Sequence, residues 1–145
     1  MMGRDGEIYA AAGLALRWAQ LFEAEVVTVA LLHGVARRKF RTRAQAEDFV
    51  ASSERKPLSQ LLRKVLARVK FQPDVSGTFD EAIEVRNAFV HRFFWDHAEA
   101  FADDNRIDEL IAQLKDNQRL FFSAHKFASM LSEMYRDQLP AQPQH

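Results

Sequence analysis

The stretch VRNAFVHRFFWDH, residues 85–97, sets a guanidinium, a carboxamide and two imidazoles into an otherwise greasy helix. Residues advance about 100° each around a helix, so with Arg86 at zero, Ile83, Phe89, Val90, Phe93, Phe94 and Phe101 all fall within about 80° of it. Arg86 therefore stands at the centre of the apolar face. Asn87 lies about 100° and His91 about 140° round the same side, bordering the strip, with Trp95 just beyond. Glu81, Glu84, Arg92, Asp96 and Glu99 take the opposite arc, as a solvated face should. The first helix carries a matching anomaly: Glu25 sits amid an apolar face of Leu14, Trp18, Leu21, Phe22, Val29 and Leu32. Arginine and glutamate are almost never fully buried unless paired. The expectation is that Glu25 and Arg86 meet, or that both open into one polar cleft that grips something anionic or polar. A structural salt bridge between the two helices accounts for the same pattern. Such a bridge is weak evidence for stability, yet removing one partner is expected to cost about 3–5 kcal/mol.

Helices must position these groups. Gly and Pro fall almost entirely at punctuation points, and no alternating strand-like run stands out, so the chain reads as all-α. A long first helix is expected from about Glu7 to about Arg38, ending near Gly34, and a short second one over 44–51. A third begins near Pro57, a favoured first-turn residue, and ends before Pro73. VSGT reads as a break, with Thr78 and Glu81 forming a capping box that starts a fourth helix running to about Ala102. ADDN ends it, and its acidic residues suit the N-terminus of a fifth helix over about 105–138. That helix carries Ile107, Leu110, Leu114, Phe121, Ala124, Ala128, Leu131 and Tyr135 as a seam. Short connections imply antiparallel neighbours, hence an up-and-down bundle of four to five helices. Residues 1–139 read as a single domain and 140–145 as a frayed tail.

Composition narrows the function. Twenty Lys and Arg balance twenty Asp and Glu, so an anionic partner must be held by a local patch. The absence of cysteine excludes disulfides, thiolate metal sites and cysteine nucleophiles. IYAAAGLAL is flanked by Asp5, Glu7, Arg17 and Glu23, a poor secretory pattern. The most apolar run, VVTVALL, is far short of the roughly 20 residues that cross a bilayer. A cytoplasmic protein without a membrane partner is the expectation.

The segment RNAFVH, with Arg86 separated by four residues from His91 and Asn87 directly after the arginine, resembles the R-x4–6-H signature of the HEPN superfamily (higher eukaryotes and prokaryotes nucleotide-binding). The longer RNAFVHRFFWDH looks like a small bacterial branch of it. WAQLFEAEVVTVALL with its in-face Glu25, KPLSQLLRKV before the third helix, and the long last helix all fit. The resemblance implies an α-helical bundle with the motif on a late helix. It further implies metal-independent endoribonuclease activity, with no cofactor, in a homodimer that pairs two motifs at one RNA cleft, here across the fourth helix. His91 would then handle proton transfer at the ribose 2′-hydroxyl or the leaving oxygen, for which an imidazole is suited. Arg86 would stabilise charge on the phosphate, Asn87 would orient His91 or the phosphate, and Glu25 would fix Arg86. Toxin–antitoxin or defence roles, with a cognate antitoxin or regulatory protein, belong to the same resemblance. Some toxin members continue the motif as His-x-Tyr, whereas this chain has Phe93 there, which removes the residue that a partner nucleotidyltransferase would modify. Other members are non-catalytic interaction modules or nucleotide-binding regulatory domains, and the Arg86–Asn87–Glu25 set suits those readings too.

RRKFRTR, residues 37–43, gathers Arg37, Arg38, Lys39, Arg41 and Arg43. These cations either touch RNA phosphates or form a solvated end favoured by the helix dipole. No metal-binding motif, P-loop or nucleophile elbow is present, and His91 and His97 point about 120° apart. His97 and His125 are expected as hydrogen-bonded interior or interface residues, and His33 as packing or capping. Phe93, Phe94, Trp95 and Phe101 offer a base-stacking platform, although such spacing more often marks core or interface.

Overall fold

The computed structural model describes residues 4–53, 56–66, 73–98 and 103–139. Among these the chain forms five helices and no strand: α1 (Asp5–Ala36), α2 (Arg43–Ser53), α3 (Leu58–Leu66), α4 (Pro73–Asp96) and α5 (Asp104–Gln138). The expected tail at 140–145 and the end of the third helix at 67–72 lie outside the described residues.

The framework is α1 against α5. Buried residues on α1 recur as Ile8, Ala12, Ala15, Ala19, Phe22, Val26 and Val29, in steps of four and three. Those on α5 recur as Ile107, Leu110, Leu114, Asn117, Phe121, Ala124, Ala128, Leu131 and Tyr135, with the same alternation. This is the knobs-into-holes pattern of two helices packed side by side. Alanines on both seams let the backbones approach closely, and α1 and α5 are the most intimate helix pair. The expected α1 face is corrected here: Leu14 and Leu21 are exposed, and the buried stripe runs through the alanines instead. Large side chains would have held the helices apart.

Cross-contacts climb both helices in step, from Arg4 with Asp108, through Gln118 on the Ala11 carbonyl and Trp18 on Phe122, to Glu25 with Ser132 and His33 with Tyr135. The two helices therefore run parallel. α4 returns alongside the pair: Phe79 meets Phe22 and Phe127 at one end, and Phe89 and Phe93 join Ile8 and Ile107 at the other. Helices α1, α4 and α5 thus run up, down and up, and α2 and α3 span the first reversal. By length and composition α1 could cross a bilayer, because its exposed leucines and valines count alongside its buried stripe. In this fold that stripe is packed against α5.

Helix ends explain most of the differences from expectation. α4 begins at Pro73, whose missing N–H costs nothing in a first turn. Thr78 is not a cap: it lies inside the helix and its hydroxyl donates to the Asp74 carbonyl at 2.9 Å. The capping box belongs instead to Thr42 and Gln45 at the start of α2. There the Gln45 amide donates to Thr42 Oγ1 at 3.2 Å, and Gln45 Oε1 accepts from the Arg41 and Thr42 amides. α4 ends at Asp96 rather than near Ala102; residues 99–102 lie outside the described residues. Asp103 caps α5 by accepting from the Asn105 amide at 3.0 Å, as the acidic ADDN suggests.

α1 passes Gly34 and closes in a Schellman motif, the Lys39 amide bonding the Gly34 carbonyl and the Arg38 amide the Val35 carbonyl. Arg38 takes the left-handed position of that motif at φ 56°. Gly34 serves another purpose: an added Cβ would lie 2.5 Å from the Phe40 ring, which folds over it and packs on Phe49 of α2.

Two outcomes follow from these contacts. Ala128→Leu, at a fully buried seam position, is expected to lower unfolding free energy by about 1–3 kcal/mol in urea titration. Arg38→Gly removes a side chain from a left-handed conformation and is expected to raise stability by roughly 1 kcal/mol in the same assay.

Candidate functional site

The buried stripe of α4 runs through Phe79, Ala82, Phe89 and Phe93, and Arg86 occupies the next place in that series between Ala82 and Phe89. The helical-wheel position of Arg86 therefore holds, as does the exposure of Glu81, Glu84 and Arg92. A guanidinium in line with phenylalanines must reach an anion or water. Its Nε donates to Glu23 of α1 and its Nη1 to Asn87 Oδ1 at 3.0 Å, with the Arg86 and Glu23 side chains 25% and 28% exposed.

Glu25 is not the partner. Residues two apart on a helix differ by about 200°, so Glu23 and Glu25 face nearly opposite ways. Glu25 turns to the α1–α5 seam and accepts from the hydroxyl of the fully buried Ser132 at 2.5 Å. Taking Leu14 and Leu21 as core centred the face on Glu25. The Ile8–Ala12–Ala15–Ala19 repeat, read as core, would have brought Glu23 to the α4 side.

The Arg86–Glu23 pair opens onto a cleft of about 590 Å³ bounded by α1, α4 and the corner between α2 and α3. Its apolar lining comes from Ala24, Val27, Leu31, Val50 and Leu61, and its polar groups are Gln20, Glu23, Thr28, Ser53, Lys56 and Arg86. Thr28 donates to the Ala24 carbonyl at 3.1 Å and Ser53 to the Phe49 carbonyl at 2.8 Å. Both hydroxyl protons are thus spent within their own helices. Gln20, Lys56 and Arg86 are left as the groups able to donate to an anionic ligand. Lys56 Nζ stands 5.7 Å from the Phe49 ring centre, so the Phe40–Phe49 pair that seats α2 also holds a cation at the rim. Residue type and spacing do not single out Gln20 or Lys56; the fold brings them to the cleft.

Asn87 is exposed on α4 beside Arg86. His91 lies one turn further along α4, and its side chain is outside the described residues. Arg37, Arg38, Lys39, Arg41 and Arg43 are all exposed in the loop and first turn that join the Leu31 wall of the cleft to the Val50 wall. Arg43 also pairs with Glu47 at 2.9 Å. His33 and His97 pack as expected, and His125 makes a ring contact. His97 Nδ1 donates to the Phe93 carbonyl at 2.9 Å and its ring stacks on Phe93. His33 is hydrogen-bonded to Tyr135, and His125 packs against Trp18. Burial pushes the Tyr135 phenol above its ordinary pKa. Among the described residues no group of three or more His, Asp or Glu side chains is placed to hold a metal ion.

A double-mutant cycle reads this geometry directly. Glu23→Gln and Arg86→Gln are expected to couple by about 1 kcal/mol, the upper end for ion pairs that water still reaches. Glu25→Gln and Arg86→Gln should be additive. No family model, curated protein or solved structure matches this chain.

Proposed function

We propose that this protein is a HEPN-type helical module that binds RNA at the Arg86 cleft and cleaves it without a metal. The observation that carries the reading is the placement of Arg86: a guanidinium inside a core stripe, braced by Glu23 and Asn87, turned to a cleft with a second cation at its rim. A planar fork of donors suits a phosphate. In the proposed reaction the ribose 2′-hydroxyl attacks the adjacent phosphorus as His91 takes its proton. The P–O5′ bond breaks, and the departing oxygen takes a proton from water, leaving a 2′,3′-cyclic phosphate and a 5′-hydroxyl. Arg86 would neutralise the charge that builds on the non-bridging oxygens. The exposed Arg37–Arg43 cations would hold flanking phosphates, and a second copy would bring a second motif to the same strand.

A second reading is favoured by one feature. Two of the three Arg86 nitrogens already have partners in their own chain, which suits a non-catalytic module that holds RNA or a nucleotide.

Incubation of pure protein with labelled RNAs in EDTA separates the two. Cleavage is expected to yield cyclic-phosphate ends, and His91→Ala to slow it by about 10²–10⁴-fold without moving the unfolding midpoint. Intact RNA across single-stranded and structured substrates, with binding that weakens steeply as salt rises, selects the non-catalytic module. Absence of both cleavage and binding removes the RNA reading altogether.

A further inference from the structure

We infer that the Arg86 cleft is also a binding site for a small amphipathic carboxylate, an aliphatic chain with one anionic head. This goes beyond the RNA reading and does not depend on it. RNA phosphates at the mouth would use the cations but leave the rest of the lining without a role. Val27, Leu31, Val50 and Leu61 line the same space, which measures about 590 Å³. A mostly apolar cavity of that size with a few placed polar groups is the usual form of a small-molecule site.

The head has a seat. Glu23 takes the Arg86 Nε and Asn87 the Nη1, which fixes the guanidinium and leaves Nη2 without a partner among the described residues. Lys56 lines the same cleft, half-buried, with the Phe49 ring as its neighbour. Two cations, Arg86 and Lys56, against one carboxylate, Glu23, leave one positive charge among the described lining residues. A single negative charge neutralises it. The body has a path as well. Glu23, Val27 and Leu31 are four apart in succession on α1, so the lining rises about 12 Å from the level of the ion pair to Leu31. The apolar lining is entirely aliphatic among the described residues, so it offers no ring face on which a nucleobase would stack. Thr28 and Ser53 spend their hydroxyl protons within their own helices, so neither donates to a base edge. Aliphatic walls leading away from a braced guanidinium fit a hydrocarbon chain with a carboxylate at one end.

Isothermal titration of the full-length protein with submicellar octanoate, butyrate, 1-octanol and adenosine monophosphate tests the assignment. Octanoate is expected to bind saturably, one per chain. Butyrate, four methylenes shorter, should bind at least tenfold more weakly, with a limit of roughly 200-fold if all four are buried. Octanol, which keeps the body and lacks the charge, should bind about 10- to 100-fold more weakly, the range for losing a charged hydrogen bond. Arg86→Gln should weaken octanoate by a similar factor. Lys56→Gln and Leu31→Gln, which leave the Arg86–Glu23 pair in place, should each weaken it as well. Octanol binding as tightly as octanoate overturns the proposal, as does octanoate affinity unchanged in both Lys56→Gln and Leu31→Gln. Adenosine monophosphate binding through Arg86 with no octanoate binding overturns it too, and leaves the cleft to RNA. Octanoate binding by a protein that neither holds nor cuts RNA upholds this inference while the RNA reading falls.

Discussion

An arginine in line with a phenylalanine stripe is the constraint around which this bundle is arranged. A dehydrated guanidinium is costly without an anion, and the attraction of the pair compensates only where geometry is good or water can enter. The core divides where it sits. On one side Phe79, Ala82 and Ile83 join Phe22, Phe121 and Ala124; on the other Phe89 and Phe93 join Ile8, Ala15 and Leu114. On α5 the matching gap between Leu114 and Phe121 is filled by Asn117, which is buried. A polar layer of this kind within an apolar seam disfavours sliding, since any shift of register would strand a charge among hydrocarbon. It also forces an opening. Beside Arg86 and Glu23 the bundle does not close.

What surrounds that opening follows from the way α1 and α5 pack. Their alanine-lined seams bring two long helices close together and parallel, so chain connectivity has to run back down alongside them. α4 makes that return, and the shorter α2 and α3 cover the flank that α4 leaves. Leu61 and Leu62 seat α3 in the core, and Phe40 over Gly34 and against Phe49 seats α2. Val50, Ser53, Lys56 and Leu61 reach the cleft because of this seating. The site is thus built from α1 and α4 on one side and the corner of α2 and α3 on the other, with the basic loop at its edge.

Much of the fold was legible. The α5 seam reads directly from Ile107 to Tyr135, and the exposed arc of α4 from its acids. Where reading failed, a physical competition was misjudged. Leu14 and Leu21 outrank Ala12 and Ala15 in hydrophobicity, but close helix packing rewards small size, so the alanines went inside. Thr78 and Glu81 have the spacing of a capping box, yet Pro73 had already started the helix, and a glycine at position 77 is too weak a breaker to stop it.

The amino-acid sequence alone determined an all-helical chain, a charge in the middle of the α4 face, and a need for that charge to find a partner. Periodicity is a local property, and it carries such information faithfully. Which carboxylate answers Arg86 was decided only in three dimensions. Glu23 and Glu25 differ by two positions and nearly half a turn, so a modest error in the buried face of α1 exchanges one for the other. Tertiary packing set that face, and with it the cleft and the presence of Lys56 at its rim.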